Sequence, residues 1–272
     1  MKAFFVSVVV WLGVLGVGVG AQTTGVSALD RLLDLYVRDG LVYYAALKVN
    51  RVPLDRFVSG ISDEPAGFAA WSADAVKAFW LNAYNALVLE TVVDHYPIRG
   101  QAPEYPANSI RQITGAFEGR SHRVAGRTLT LDVIESEVLA SFGDPRLFLA
   151  LGRGAVGSGR LRSEAYTAAD LEEQLEAVVK EYATLPQYVR LDRLAEEVRV
   201  SAVFGWHASV FAEAYGDRGW TESGRAPIER AILTMIEPKL FPSERTFLAA
   251  NGFTIRYQDF DWRLNDLTGG RP

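Results

Sequence analysis

"KAFWLNAYNALVLETVVDHYP", residues 77–97, contains the strongest helical pattern in the chain and decides its fold. At 100° per residue, its apolar side chains fall on almost every side of a helix instead of forming one stripe. A helix of that kind is buried all round, so the pattern predicts a central helix over residues 74–96. Pro97 cannot continue a helix and marks the end.

Three polar side chains lie within this apolar helix. Asn82 and Asn85 are one turn apart on the same side, and Glu90 projects close to the same region. A buried polar group must be hydrogen-bonded, or it costs a few kcal/mol. The three groups therefore predict a polar network, which either pins loops to the core or lines a pocket. The structural role is the more common one, and the pocket alternative makes Asn82 and Asn85 candidate ligand-binding residues.

The rest of the chain alternates short helical and extended patterns, punctuated by glycine and proline. A helix followed by an extended piece is expected over 28–48, and a hairpin over 122–131. Further helices are expected from about 132 with Thr130 as N-cap, over 167–184, 206–215 and 227–240, and from Ser243 to Gly252. Further strands are expected over 187–192, 198–203 and 253–257. The irregular order predicts an α+β fold, a helix-rich single domain with a small, mostly antiparallel sheet, over residues 22–272.

The N-terminus has the features of an export signal. Lys2 precedes an apolar run over residues 3–20, which ends in the small residues Val19-Gly20-Ala21. This pattern predicts a signal peptide over residues 1–21, cleaved after Ala21, and a periplasmic or extracellular location. The alternative is a membrane anchor at residues 3–20, although four glycines make that run a poor span. After cleavage we expect no stable membrane span.

Composition excludes several classes of function. The chain has 272 residues, a formal charge of −5 and no cysteine. Acids and bases are interspersed, so a nucleic-acid partner is not expected. Disulfides, thiolate catalysis and cysteine metal sites are excluded outright. The three histidines lack helical metal-ligand spacing, so we expect neither a metal nor a cofactor.

A glycine-rich stretch, "LFLALGRGAVGSGRLRS" (residues 147–163), contains G-x-G-x-x-G after a possible strand at 147–151. A dinucleotide-binding loop requires a helix that begins within the motif. Here the next helical pattern begins only near Thr167, so the motif does not predict a dinucleotide site. Two alternatives remain. Arg153, Arg160 and Arg162 with the backbone amides could bind an anion, or the stretch is a mobile surface loop with solvated charges, which is the more common case.

The same loop contains a candidate nucleophile, Ser158. Ser158 lies between glycines, and His207 follows Trp206 near the end of a strand. If the two side chains met, Ser158 would be a nucleophile and His207 its base. The loop lacks the Gly-x-Ser-x-Gly pattern of a nucleophile elbow, which weakens this alternative.

Two motifs are distinctive: F-W-x-N-A-Y-N-A-L at residues 79–87 and D-W-x-L-N at residues 261–265. Through them the chain resembles the DUF547 family of uncharacterised proteins, over nearly all of residues 22–272. The other matching pieces are residues 42–47, 96–97, 124–131, 134–135, 144–146 and 200–201, with Phe204 and Trp206. The resemblance itself implies no established activity.

The chain departs from the pattern of its relatives in the glycine-rich stretch. Where relatives usually carry a histidine it has Phe148, and where they carry two cysteines it has Arg153 and Ser158. Gly159 replaces a proline, and Val210 replaces an acid. Any thiol chemistry or metal binding of the family would therefore be lost here.

Two functional hypotheses follow. The first is an exported, non-catalytic binding or structural protein with a remodelled, anion-binding loop, whose partner is a small molecule or a protein. Its pocket would be bounded by five ligand-binding candidates: Asn82, Asn85, Arg146, Arg153 and Asp261. The alternative is a hydrolase or transferase that uses Ser158 and His207.

Overall fold

The computed structural model describes residues 19–269, and the side chains of residues 25–269. At its centre lies the predicted long helix, α4, over Ala73–His95. Its N-terminus is capped by Ser72, whose hydroxyl accepts a hydrogen bond from the backbone N–H of Ala75 at 3.2 Å. Fourteen of its residues are buried, from Ala78 to Val93. The all-round apolar pattern is thereby confirmed as that of a core helix.

Ten further helices surround α4 in the described part of the chain, and half of the residues are helical. They are α1 (Val19–Tyr36), α2 (Tyr44–Val49), α3 (Val52–Gly60), α5 (Leu131–Val133), α6 (Arg146–Leu149), α7 (Leu171–Thr184), α8 (Ala202–Trp206), α9 (Ala208–Tyr215), α10 (Pro227–Ile236) and α11 (Pro242–Ala249). Helix α5 continues as a π-helical turn over Ile134–Leu139. Helices α2 and α3 and this π-helical turn contact α4 directly.

The strands are short and form three separate small sheets. They are β1 (Val37–Arg38), β2 (Leu41–Val42), β3 (Ser121–Val124), β4 (Arg127–Thr130), β5 (Val189–Asp192), β6 (Glu197–Val200) and β7 (Thr254–Tyr257). The pairs β1–β2, β3–β4 and β5–β6 are antiparallel, whereas β6–β7 is parallel. This is the predicted α+β, helix-rich single domain, with its strands in three sheets instead of one.

The C-terminal segment is hydrogen-bonded to β2, to α2 and to the residue that follows α4. The amide N–H of Val42 donates to the carbonyl of Asn265 at 2.8 Å, and Tyr44 donates through its hydroxyl to the Asn265 side chain at 2.8 Å. Tyr96, at the end of α4, donates to Asp266 at 2.7 Å. The D-W-x-L-N motif thus contains a residue that anchors the C-terminus against β2 and α2.

Most predicted local elements are confirmed, including the hairpin and the Thr130 cap, whose hydroxyl accepts from the Val133 amide at 3.2 Å. The prediction that Ser243 caps the last helix is wrong. Pro242 takes the first helical position, where its missing N–H costs nothing, and Glu244 accepts from the Phe241 amide at 2.8 Å. The helix also ends at Ala249, before Gly252.

The prediction of a possible strand at residues 147–151 is also wrong. Residues Arg146–Leu149 form a single helical turn, α6. A short apolar run does not distinguish a buried strand from a buried helix, because both lack a polar side.

The predicted signal peptide falls almost entirely outside the described residues. Residues 1–18 are not described, and residues 19–21 lie at the start of α1. Within the described residues, every helix is too short or too polar to cross a membrane.

Candidate functional site

Arg153, in the glycine-rich stretch, forms a buried ion pair with Glu135. Its Nη2 lies 2.5 Å from Glu135 Oε1, and its Nε donates to both carboxylate oxygens at 3.1 and 3.2 Å. Nη2 also donates to the carbonyl of Phe148 at 3.2 Å. The Arg153 side chain is 2% exposed and that of Glu135 12%. The positive charge is therefore neutralised inside the protein.

Two more side chains converge on the same carboxylate. Tyr84, on α4, donates its hydroxyl to Glu135 Oε2 at 2.8 Å, and His207 Nε2 donates to Oε1 at 2.8 Å. The imidazole of His207 also stacks on Phe148, with ring centroids 3.6 Å apart. We call Tyr84, Glu135, Arg153 and His207 the Glu135 cluster. Four separate chain segments meet in it.

The π-helical turn positions Glu135. Such turns add a residue to a helix, are rare, and occur often at functional sites. Here the turn over Ile134–Leu139 buries Ile134, Val138 and Leu139, and directs Glu135 at α4 and the glycine-rich stretch. The π-helical turn thus places the Glu135 carboxylate in the interior of the protein.

The electrostatics of the cluster favour the ionised forms of Glu135 and Arg153. Burial by itself would raise the pKa of Glu135, but the charge of Arg153 and hydrogen bonds from His207 and Arg153 outweigh it and lower that pKa to about 2. Burial would lower the pKa of Arg153, but Glu135 raises it above its ordinary value. Burial, with the Glu135 charge, raises the pKa of Tyr84. A carboxylate this acidic is a weak proton acceptor.

The expectation of a mobile, solvated glycine-rich loop is wrong. Residues 150–155 are buried, as are Ser158 and Gly159. The amides of Val156 and Gly157 donate to the carbonyls of Arg263 and Asp261, at 2.8 and 2.9 Å. The C-terminal segment therefore covers this loop, and these two amides are not available to hold an anion.

Asn82 and Asn85 use their amides to hold this region in place. Asn82 makes two hydrogen bonds with the backbone of Tyr166, at 2.8 and 2.9 Å. Asn85 accepts from the amide of Gly152 at 2.8 Å and lies 3.5 Å from the carbonyl of Ala150. The structural role predicted for a buried network, pinning loops to the core, is confirmed. Glu90 is not part of it.

Ser158 and His207 have separate partners. The hydroxyl of Ser158 donates to the carbonyl of Ala155 at 2.6 Å and accepts from the Arg153 amide at 3.2 Å. His207 Nε2 faces Glu135. Ser158 thus closes the turn of the loop, and His207 completes the Glu135 cluster. Their catalytic roles stay predictions.

The two remaining ligand-binding candidates are held in ion pairs. Arg146 donates to Asp144 at 2.9 Å and to Glu172 at 2.7 and 2.9 Å. Asp261 accepts from Arg263 Nε at 2.9 and 3.0 Å. Of the five candidates, only Arg153 enters the Glu135 cluster, and their ligand-binding role stays a prediction.

A group of one exposed and two partly buried aromatic side chains lies beside the cluster. Trp206 is 46% exposed, and its ring centroid lies 5.6 Å from the guanidinium carbon of Arg153. It packs on Phe260 at 4.7 Å and is nearly parallel to Trp262, whose centroid is 6.1 Å away. We call Trp206, Phe260 and Trp262 the aromatic face.

Sequence reasoning missed Glu135, Tyr84 and the aromatic face as site residues. Tyr84 and Glu135 are 51 positions apart, and no spacing rule connects them. Glu135 lies in an ordinary acidic helical segment, where a carboxylate is normally solvated. Only the resemblance to the DUF547 family singled these positions out, because its matching segments include Tyr84, Glu135, Trp206 and Trp262.

Two clefts lie away from the Glu135 cluster. The larger, about 410 Å³, is lined by Trp220, Thr234 and Glu237 among others. The second, about 320 Å³, is lined by Glu90 and His122 among others. In the described part of the chain, no three acidic or histidine side chains converge as a metal site would require.

Comparison with known proteins gives one match. The model of a family described as "Protein of unknown function, DUF547" matches residues 68–183. That range spans α4, the Glu135 cluster except for His207, the glycine-rich stretch and α7. No curated protein and no solved structure matches the chain. This match over residues 68–183 supports the assignment of the chain to the DUF547 family.

Proposed function

We propose that this is an exported, non-catalytic binding protein, in which the glycine-rich stretch has become part of the rigid frame. The observation that carries the proposal is the buried Arg153–Glu135 ion pair, closed by Tyr84 and His207. A charge that is already neutralised and desolvated contributes little to capturing an anion. The anion-binding role expected for Arg153 is therefore replaced by a structural one.

The aromatic face is the binding surface in this proposal. Exposed clusters of large apolar side chains on a soluble protein mark interaction sites. Trp206 offers an accessible indole, while Trp262 is backed by the Arg111 guanidinium 4.7 Å from its centroid. The polar ion pair Asp261–Arg263 flanks it. The nearly parallel indoles of Trp206 and Trp262, with a polar ion pair beside them, suit a sugar ring, which has both apolar faces and hydrogen-bonding edges.

Tryptophan fluorescence tests this role directly. We would titrate the purified protein with soluble hexaoses of glucose, xylose and N-acetylglucosamine. We expect at least one to give a saturable change that Trp206→Ala abolishes. The matched control is Trp71→Phe, in a separate aromatic group with Phe68 and Phe79. No saturable change with any hexaose, or an unaltered response in Trp206→Ala, would contradict the proposal.

The hydrolase alternative has its own test. Catalysis would require Ser158 to leave Ala155 and accept help from His207, which faces Glu135 instead. A fluorophosphonate probe labels activated serines. We expect no labelling at Ser158. Labelling that disappears in both Ser158→Ala and His207→Gln would replace the binding proposal with the enzymatic one.

Export is tested separately, by sequencing the N-terminus of the protein recovered from the producing cells. We expect it to begin at Gln22. A chain that keeps residues 1–21 and sediments with membranes would support the anchor alternative.

A further inference from the structure

A second polar cluster lies between α3, α4 and β3 and is independent of the aromatic face. It borders the cleft of about 320 Å³, whose polar lining includes Asp55, Ser59, Glu90, Arg120, Ser121 and His122. We call it the Glu90 cleft. A volume of this size accommodates a small molecule.

His122 and Glu90 are incompletely satisfied. The His122 side chain is 4% exposed, and its Nδ1 lies 3.7 Å from Glu90 Oε2, beyond hydrogen-bond distance. Its Nε2 is buried and has no hydrogen-bond partner within residues 19–269. The Glu90 side chain is 19% exposed, and among the described residues its one ionic contact is this histidine. Buried polar groups are normally hydrogen-bonded, so Nε2 of His122 lacks a partner.

Charge identifies the kind of partner. Around the cleft, Arg51 pairs with Asp55 and Asp94, Arg120 also pairs with Asp94, and Arg123 pairs with Asp63. These three arginines thus pair with Asp55, Asp63 and Asp94, and none of them forms an ion pair with Glu90. Of the carboxylates that line the cleft, Asp55 has an arginine partner and Glu90 has none within the described residues.

We propose that the Glu90 cleft binds a small hydroxylated amine. The ammonium group donates to the Glu90 carboxylate, as charge-assisted hydrogen bonds to carboxylates are the strong ones. The hydroxyl groups of such a ligand meet Ser59, Ser121 and His122 on the walls. An amino sugar has the required size and both kinds of group.

Nuclear magnetic resonance of the histidine rings tests the proposal with matched sugars. The chain has three histidines, so His122→Phe assigns the His122 signal. We would titrate the full protein with D-glucosamine and, in parallel, with D-glucose, which has a hydroxyl in place of the ammonium. We expect a saturable shift of the His122 signal with glucosamine alone. Equal shifts with glucose, or no shift with glucosamine, would overturn the proposal.

Variants locate the interaction. Glu90→Gln keeps the shape but removes the charge, and we expect glucosamine affinity to fall at least about tenfold. The matched control is Glu118→Gln, an exposed glutamate beside Arg111, which should bind as the parent does. Trp206→Ala should also leave the His122 response unchanged, which separates this site from the aromatic face. Unaltered affinity in Glu90→Gln would overturn the assignment.

Discussion

The Glu135 cluster and the Glu90 cleft contain the same pair of residue types in opposite states. In the cluster, His207 donates to Glu135 at 2.8 Å, and Arg153 and Tyr84 complete the coordination of the carboxylate. In the cleft, His122 lies 3.7 Å from Glu90, and Glu90 forms no ion pair with an arginine of the described residues, although Arg120 and Arg123 line the same cleft. The difference teaches that a carboxylate with three side-chain partners, such as Glu135, belongs to the frame, even though Nη1 of Arg153 is buried without a partner among the described residues. A carboxylate that faces a cavity without such partners is where a ligand can gain binding energy.

The largest expected loss of stability comes from removing the charge of Glu135. Glu135→Gln leaves the Arg153 guanidinium buried without a counter-charge, which typically costs about 3–5 kcal/mol of folding free energy. Urea unfolding followed by circular dichroism measures it. The control is Glu172→Gln, an exposed partner of Arg146 that should cost about 1 kcal/mol or less. A Glu135→Gln protein as stable as the control would show that the cluster is not structural.

Acid should weaken the same cluster. The pKa of Glu135 is lowered from 4.5 to about 2 on folding, so its ionised form stabilises the protein above pH 4.5. That stabilisation, about 3 kcal/mol, is lost as the pH falls from 4.5 towards 2. Unfolding free energies measured across this range should fall more steeply in the parent than in Glu135→Gln. Parallel curves for the two proteins would contradict the lowered pKa.

Removing a pinning amide should have an intermediate effect. Asn85→Ala leaves the buried amide of Gly152 without its acceptor, which costs about 1–3 kcal/mol. Asn50→Ala is a suitable control, because Asn50 is exposed and its side chain bonds only the hydroxyl of Tyr36 among the described residues. Thermal unfolding of the two variants should show the larger decrease for Asn85→Ala. Equal decreases would mean that the loop does not depend on α4.

The smallest effect is expected in the cleft. The Glu90 side chain makes no hydrogen bond with the described residues, so Glu90→Gln removes little from the folded state. We expect a change within about 0.5 kcal/mol in urea unfolding, as for a surface substitution. A loss comparable to that of Glu135→Gln would mean that Glu90 belongs to the frame, and the contrast between the two regions would disappear.

The sequence predicted the central helix, the hairpin and the helix-rich α+β class, because these depend on local periodicity and on caps such as Thr130. It also predicted a buried polar network at Asn82 and Asn85, and pinning loops to the core was one of its two proposed roles. The Glu135 cluster was beyond such reasoning, because Tyr84, Glu135, Arg153 and His207 come from distant segments. Arg153 shows why: a charged residue among glycines normally indicates a solvated loop, and only tertiary packing against Glu135 reverses that expectation.

A double-mutant cycle on Arg153 and Glu135 tests the central claim most directly. Urea unfolding would be measured for the parent, Arg153→Met, Glu135→Gln and the double variant. Because each single change leaves an unpaired buried group, we predict that the double variant loses at least about 2 kcal/mol less than the sum of the single losses. Additive losses, within about 0.5 kcal/mol, would contradict the account, since Arg153 would then be free to meet a ligand.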